Sequence, residues 1–211
     1  MNKATKINNT LIPLLPRKCR KLKVTKQISS NYDWLRSVYQ TNNSKYIIKY
    51  VQIKDTEDLI DFKNEAYIGM LLKIKQPRKI NFAVRVICAT TVEDAELYGG
   101  GIIVMDNVER TGEIAMDLHS FLTKNKIKRL DTQMSKSLQK TLINFWTAVS
   151  GFYLLHGDFH SKNIFIIFNK NKKFKGFRII DFGSTLLIKK EHNVKYKTFM
   201  KLWSDILKHI H

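Results

Sequence analysis

Along residues 45–53, Tyr46, Ile48, Tyr50 and Gln52 alternate with Ile47, Lys49, Val51 and Ile53. A period of two belongs to a strand, and it places Lys49 on the face of Ile47 and Val51. Residues 37–40 read as the preceding strand, with Thr41-Asn42-Asn43-Ser44 as the turn between them. The period then changes. Over 55–75, Leu59, Phe62, Ala66, Met70 and Lys73 recur at helical spacing, and Gln76-Pro77 ends the run. Residues 82–89 are strand-like, 99–101 form a Gly turn, and 101–108 are a continuous apolar strand running into Asp106-Asn107. A short helix is expected at 118–124 and a long apolar one at 132–155. Two short strands, 163–168 and 177–180, flank a basic turn containing Gly176, and an amphipathic helix is expected over 198–210. Strands come first and helices later, which predicts an α+β layout in two lobes.

Composition supports a packed core: of 211 residues, 44% are hydrophobic and 11% aromatic. The formal charge is +19, and residues 1–27 hold eight Lys or Arg and no acid. They read as a basic arm with little periodicity. A second basic run is Lys170, Lys172, Lys173, Lys175 and Arg178. Such a field suits acidic protein segments, nucleic acid or anionic membrane, and equally a solvated surface. Cys19 and Cys88 have unlike contexts and no CxxC, which favours a reducing compartment over a disulfide scaffold. His and Cys do not group at ligand spacing. The apolar stretch 11–15 is broken by Pro13 and is too short for a membrane span. These features predict a soluble intracellular protein, in cytoplasm or nucleus, or in the host cell if the chain is viral.

The chemistry concentrates in His156-Gly157-Asp158-Phe159-His160-Ser161-Lys162-Asn163-Ile164, followed 18 residues after Asn163 by Asp181-Phe182-Gly183. Moving a γ-phosphoryl group needs an aligned nucleophile and positive charge over the phosphates rather than covalent help. An Asp on a rigid loop can take the hydroxyl proton. An Asn five residues on can reach a metal ion, and an Asp at the end of a neighbouring strand can hold it.

At these residues the chain resembles the protein-kinase superfamily, whose pattern is H-x-D-x-x-x-x-N followed by D-F-G. The resemblance implies ATP and Mg2+ as cofactors, Asp158 as catalytic base, and Asn163 and Asp181 as magnesium ligands. Ile47-Ile48-Lys49 resembles the strand whose lysine meets the nucleotide phosphates, and Glu65, 16 residues later, its partner. Residues 102–108 resemble the strand leading into the interlobe connector, with Met105 behind the adenine and Asp106, Asn107 and Val108 beside it. The likeness spans roughly residues 25–185. It divides the chain into the basic arm 1–27, a mainly β N-lobe 28–108 and a short, mainly helical C-lobe 109–211.

The chain also departs from the pattern. Asn31, Asp33 and Arg36 stand where the three glycines of the phosphate-covering loop belong, and the first glycine of the chain is Gly69. Arg36 would attract phosphate and Asp33 repel it. Gly157 replaces the arginine that answers a phosphorylated activation loop, and His160 replaces the usual lysine. Only 28 residues follow Gly183, without an A-P-E segment. Asp205, in Trp203-Ser204-Asp205, is a candidate anchor for the catalytic loop. This shortened C-lobe is similar to the small kinase of the KEOPS complex and to haspin-like and RIO-like kinases. The leading expectation is an atypical serine/threonine protein kinase acting on a protein substrate, possibly acidic. An inactive pseudokinase scaffold and an aminoglycoside-type small-molecule kinase are the alternatives. A protein partner covering the short C-lobe and nucleic-acid contact through the basic arm are further expectations.

Overall fold

A computed structural model describes residues 3–30, 36–76, 81–92, 99–192 and Lys201. The expected last helix with Trp203 and Asp205, the loop positions Asn31 and Asp33, and Pro77 lie outside the described residues. The chain is mixed α+β with antiparallel sheets and divides into two units, 1–73 with 85–107, and 74–84 with 108–211.

Among the described residues, the first unit carries a five-stranded antiparallel sheet in the order β1-β2-β3-β5-β4. The strands are β1 (Val24–Ser30), β2 (Arg36–Thr41), β3 (Tyr46–Gln52), β4 (Val86–Val92) and β5 (Gly100–Asp106). β5 is buried along its whole length, as a central strand covered on both faces must be. Helix α2 (Thr56–Lys75) begins where Asp55 Oδ1 accepts the Asp58 N–H at 2.9 Å, satisfying one of the first free donors. It buries Phe62, Ala66, Ile68 and Leu72. Phe62 lies so close to Gly101 that a Cβ there would sit 2.4 Å from its ring, so only glycine fits beneath it.

Residues 3–27 are not a detached arm. Helix α1 (Lys3–Lys6) leads into a π-helical turn (Ile7–Leu11) and a 3-10 turn (Ile12–Leu14). Ile7, Leu11, Ile12, Leu15 and Leu22 join Tyr39, Ile48, Tyr50, Ile102 and Val104 in one core. The Asn8 side chain pairs with the Val24 backbone in both directions, at 3.1 and 2.8 Å. A disulfide links Cys19 to Cys88 of β4 across 69 residues. This corrects the expectation of two reduced, unrelated cysteines: unlike local contexts conceal a pairing made only by folding.

In the second unit the described strands are β6 (Glu113–Asp117), β7 (Phe152–His156), β8 (Ile164–Asn169), β9 (Phe174–Ile179) and β10 (Thr185–Lys189). They form a sheet β6-β8-β9 and a hairpin-like pair β10-β7. Helices α3 (Leu118–Lys124) and α4 (Thr132–Trp146) are N-capped by Asp117 and Asp131, whose Oδ1 atoms accept the N–H of Ser120 and Met134 at 2.8 Å. α4 stops at Trp146 rather than running to residue 155. Thr147 caps it, Gly151 turns the chain at φ +78°, and Phe152–His156 then extend to pair with β10. The apolar run after Trp146 is therefore strand, not helix. Likewise 82–84 do not extend β4: Ala83 bridges Ile179, and Val84 N–H donates to Ile179 O at 3.0 Å, in the second unit.

Among the described residues, no helix is long and apolar enough to cross a membrane.

Candidate active site

In the first unit, the alternation of β3 turns Lys49 towards α2. Its Nζ donates to Glu65 Oε1 at 2.9 Å and Oε2 at 2.8 Å, and the side chains are 10% and 6% exposed. Glu65 stands between Phe62 and Ala66 on the buried face of α2, so its charge has little water and needs a cation. Arg36 opens β2 opposite Val51, on the face of Lys49, and its Nη2 lies 3.6 Å from Asp61 Oδ2 of α2 at a half-exposed position. Met105 is buried in β5 opposite Ile47 and Val86. Asp106 and Asn107 use their amides inside the fold. Asp106 N–H donates to Arg85 O at 3.0 Å, and Asn107 N–H to Lys45 O at 2.8 Å. The Asp106 carboxylate accepts from Arg85 Nε, and Asn107 Nδ2 donates to Ser44 O at 3.1 Å.

In the second unit the two motifs are latched together by main-chain and ring contacts. Ile180 N–H donates to Asn163 O at 3.0 Å, and His156 Nε2 lies 2.9 Å from Ile180 O. A carbonyl only accepts, so His156 carries its proton on Nε2. Burial holds the His156 imidazole below its usual pKa; the Ile180 hydrogen bond and the Asp181 and Asp158 carboxylates pull the other way. The ring packs at 5.8, 5.3 and 6.0 Å from Phe145, Phe159 and Phe182, an apolar seat that suits the neutral form. His156 thus fixes the loop from below.

Between the motifs, Asn163 is set by its neighbours. Its Nδ2 donates to Asp158 O at 2.9 Å and approaches Asp158 Oδ2 at 3.4 Å, while its N–H donates to His160 O. His160 Nδ1 accepts the Lys162 N–H at 3.2 Å, capping the 3-10 turn Ser161–Asn163. Its Nε2–H then points towards Asp158 Oδ2, 3.6 Å away. Asp158 keeps its side chain 59% exposed, open to an incoming group. Asp181 follows β9 at φ +61°, a left-handed conformation that costs an L residue about 1–2 kcal/mol and is best tolerated by Asn and Asp. Phe182 anchors that turn by stacking on Phe145 at 5.8 Å.

Gly157 is visible in sequence only as a missing arginine. Its N–H donates to Ser184 O at 3.0 Å, and a Cβ would lie 2.3 Å from the same oxygen. No side chain fits there. Sequence reasoning also misses the buried cluster beside β6. Arg178 donates to the carbonyl of Val108 and bidentately to Glu113, which Lys175 Nζ also meets at 2.7 Å. The sequence sets Arg178 at the end of a basic run; the signal of its burial is Phe177 and Ile179 on either side of it.

The fold is kinase-like. WbdD, in a crystal structure at 2.2 Å, is similar with a TM-score of 0.50 and 17% identity, covering 80% of this chain and 34% of that one. WbdD co-crystallised with a kinase inhibitor gives 0.49 and 17%, covering 79% and 33%. The chain spans about a third of those chains, and the likeness is one of fold. No protein-family model and no curated protein matches the sequence.

Proposed function

We propose that the chain is an ATP- and magnesium-dependent phosphotransferase whose acceptor is a serine or threonine hydroxyl of a protein. The observation that carries this reading is the latch between the motifs, Ile180 N–H on Asn163 O and His156 on Ile180 O, which seats Asp158, Asn163 and Asp181 in one small region. The donors fit magnesium, a hard cation held by one or two carboxylates together with phosphate oxygens. Asn163 gives Nδ2 to the Asp158 carbonyl, which leaves its Oδ1 for a cation, and Asp181 follows β9 in a left-handed turn.

ATP with magnesium, when bound, would supply the γ-phosphoryl group, with ADP as the leaving group. Asn163 and Asp181 would hold the metal. In the first unit, the Lys49 ammonium, held by both Glu65 oxygens, is a cation that would suit phosphate charge. Asp158 orients the acceptor hydroxyl and takes its proton as the oxygen bonds to phosphorus and the bond from phosphorus to the ADP oxygen breaks. The net charge of +19 favours an acidic acceptor segment. The absence of glycine from residues 28–36 favours a second reading, a nucleotide-binding scaffold without turnover.

The test is γ-phosphoryl transfer from labelled ATP by the purified chain, to itself and to an acidic protein. Asp158→Asn should lower the rate by about 10²–10⁴-fold while ATP–magnesium still raises the melting temperature. Equal rates in both proteins would remove Asp158 from the chemistry. Thermal stabilisation with no transfer by the parent protein would establish the scaffold.

A further inference from the structure

In the first unit, a groove of about 860 Å³ runs between the N-terminal segment and the edge of the sheet. Lys18 and Lys21 line one wall, with Lys73 of α2 and Arg85 contributing beside them. Of the described lining residues Asp106 is the one carboxylate, and Arg85 Nε holds it at 2.5 Å. Three lysines and Arg85 therefore share the groove with a single carboxylate. Burial, then Lys18 and Arg85, hold the Lys73 ammonium below its usual pKa, with Asp106 opposing them. An anion in the groove would relieve that repulsion.

The walls are held in place before any ligand arrives. Asn42 accepts Lys23 N–H on Oδ1 at 2.9 Å, donates Nδ2 to Lys21 O at 3.3 Å, and donates its N–H to Lys23 O at 2.9 Å. The Cys19–Cys88 disulfide lies between Lys18 and Lys21. Affinity lost to ordering is correspondingly small. Tyr46 lines the same groove, giving a planar face among the cations. Cations on a concave wall with an aromatic platform are the elements of single-strand recognition.

We propose that this groove binds single-stranded nucleic acid, with Lys18, Lys21, Lys73 and Arg85 on phosphates and Tyr46 against a base. None of the five residues proposed here is among those assigned to phosphoryl transfer, although Asp106, expected from sequence beside the adenine, lines the same groove.

The experiment is fluorescence anisotropy of the full chain with labelled oligouridylate and oligothymidylate of about a dozen nucleotides. Reversing Lys18→Glu, Lys21→Glu and Lys73→Glu together should weaken binding at least about tenfold. It should also flatten the slope of log affinity against log salt by about 0.7 for each phosphate no longer neutralised. Tyr46→Ala should cost about 5- to 100-fold, with Tyr46→Phe near the parent. Lys170→Glu with Lys173→Glu, an exposed basic run of the second unit, should change affinity less than about twofold. Should the triple variant fail to fold by circular dichroism, Lys18→Glu with Lys21→Glu, both exposed, carries the test. Equal losses from the two basic runs would reduce the effect to overall charge and overturn the site. Absence of binding would also overturn it, as would a duplex bound as tightly as the single strand, or tripolyphosphate competing as well per phosphate with Tyr46→Ala silent. The two oligomers tell RNA from DNA.

Discussion

Gly157 is where two chain segments touch. The backbone at Gly157 and the turn after Phe182 approach until an amide meets a carbonyl, leaving no volume for a methyl group. Gly157→Ala must push one of them away, at a cost of about 1–3 kcal/mol for an overpacked contact. Scanning calorimetry should show a melting temperature lowered by roughly 2–8 °C, with phosphoryl transfer reduced as the loop shifts. An unchanged melting temperature would deny the contact. Lys49 and Glu65 pose a different question of magnitude. The desolvation of two buried charges about cancels their attraction, whereas one charge left alone is costly. Lys49→Met should lose about 3–5 kcal/mol in urea unfolding, and Lys49→Met with Glu65→Leu should recover much of it. Additive losses would show the two side chains uncoupled. Their facing was legible from sequence, since period two and helical spacing each fix a direction. The partners of Arg36, Asp106 and Asn107 were not, because nothing local in the chain names Asp61, Arg85 or Lys45.

Among the elements, α2 shows tertiary packing overriding propensity. Gly69 lies in the middle of the helix, where alanine would ordinarily add about 1 kcal/mol. Yet a Cβ at Gly69 would fall 2.2 Å from Val86 Cγ2 and 2.9 Å from Val86 Cβ. Valine is stiff at χ1 and cannot swing clear at little cost. Overpacking of about 1–3 kcal/mol exceeds the helical gain, so Gly69→Ala should lower the urea midpoint. A higher midpoint would mean that α2 packs less closely on β4. The strands β2, β3 and β5 were readable to within a residue or two because each carries its own period or apolar run. β6 and β10 were not, since each is half-exposed and owes its strand character to β8 and β7. The end of α4 was concealed for a related reason: helix and strand are both apolar there, and only Gly151 marks the change.

On the scale of the whole molecule, one cluster sets a visible response to acid. Burial would raise the Glu113 pKa, but hydrogen bonds from Arg178 and Lys175, with their charges, outweigh it and hold the group at about 2 against an ordinary 4.5. A folded pKa below the unfolded one means stability that is complete above about pH 4.5 and is lost as pH falls towards 2. Glu113→Gln should therefore destabilise the chain most at neutral pH. The gap in denaturant midpoint between parent and variant should narrow below about pH 4.5; a gap constant from pH 7 to 3 would contradict the assignment.

By itself the sequence determined what neighbouring residues decide: the strand period that turns Lys49, the spacing that brings Glu65 to the same side, and the order His-Gly-Asp, Asn, Asp-Phe-Gly. Tertiary structure alone decided that residues 3–24 belong to a core, that Cys19 meets Cys88, and that glycine is obligatory at 157. Local patterns follow from backbone geometry a few residues long. Burial, cross-linking and close approach depend on segments 27 to 69 residues apart, which only the folded chain brings together.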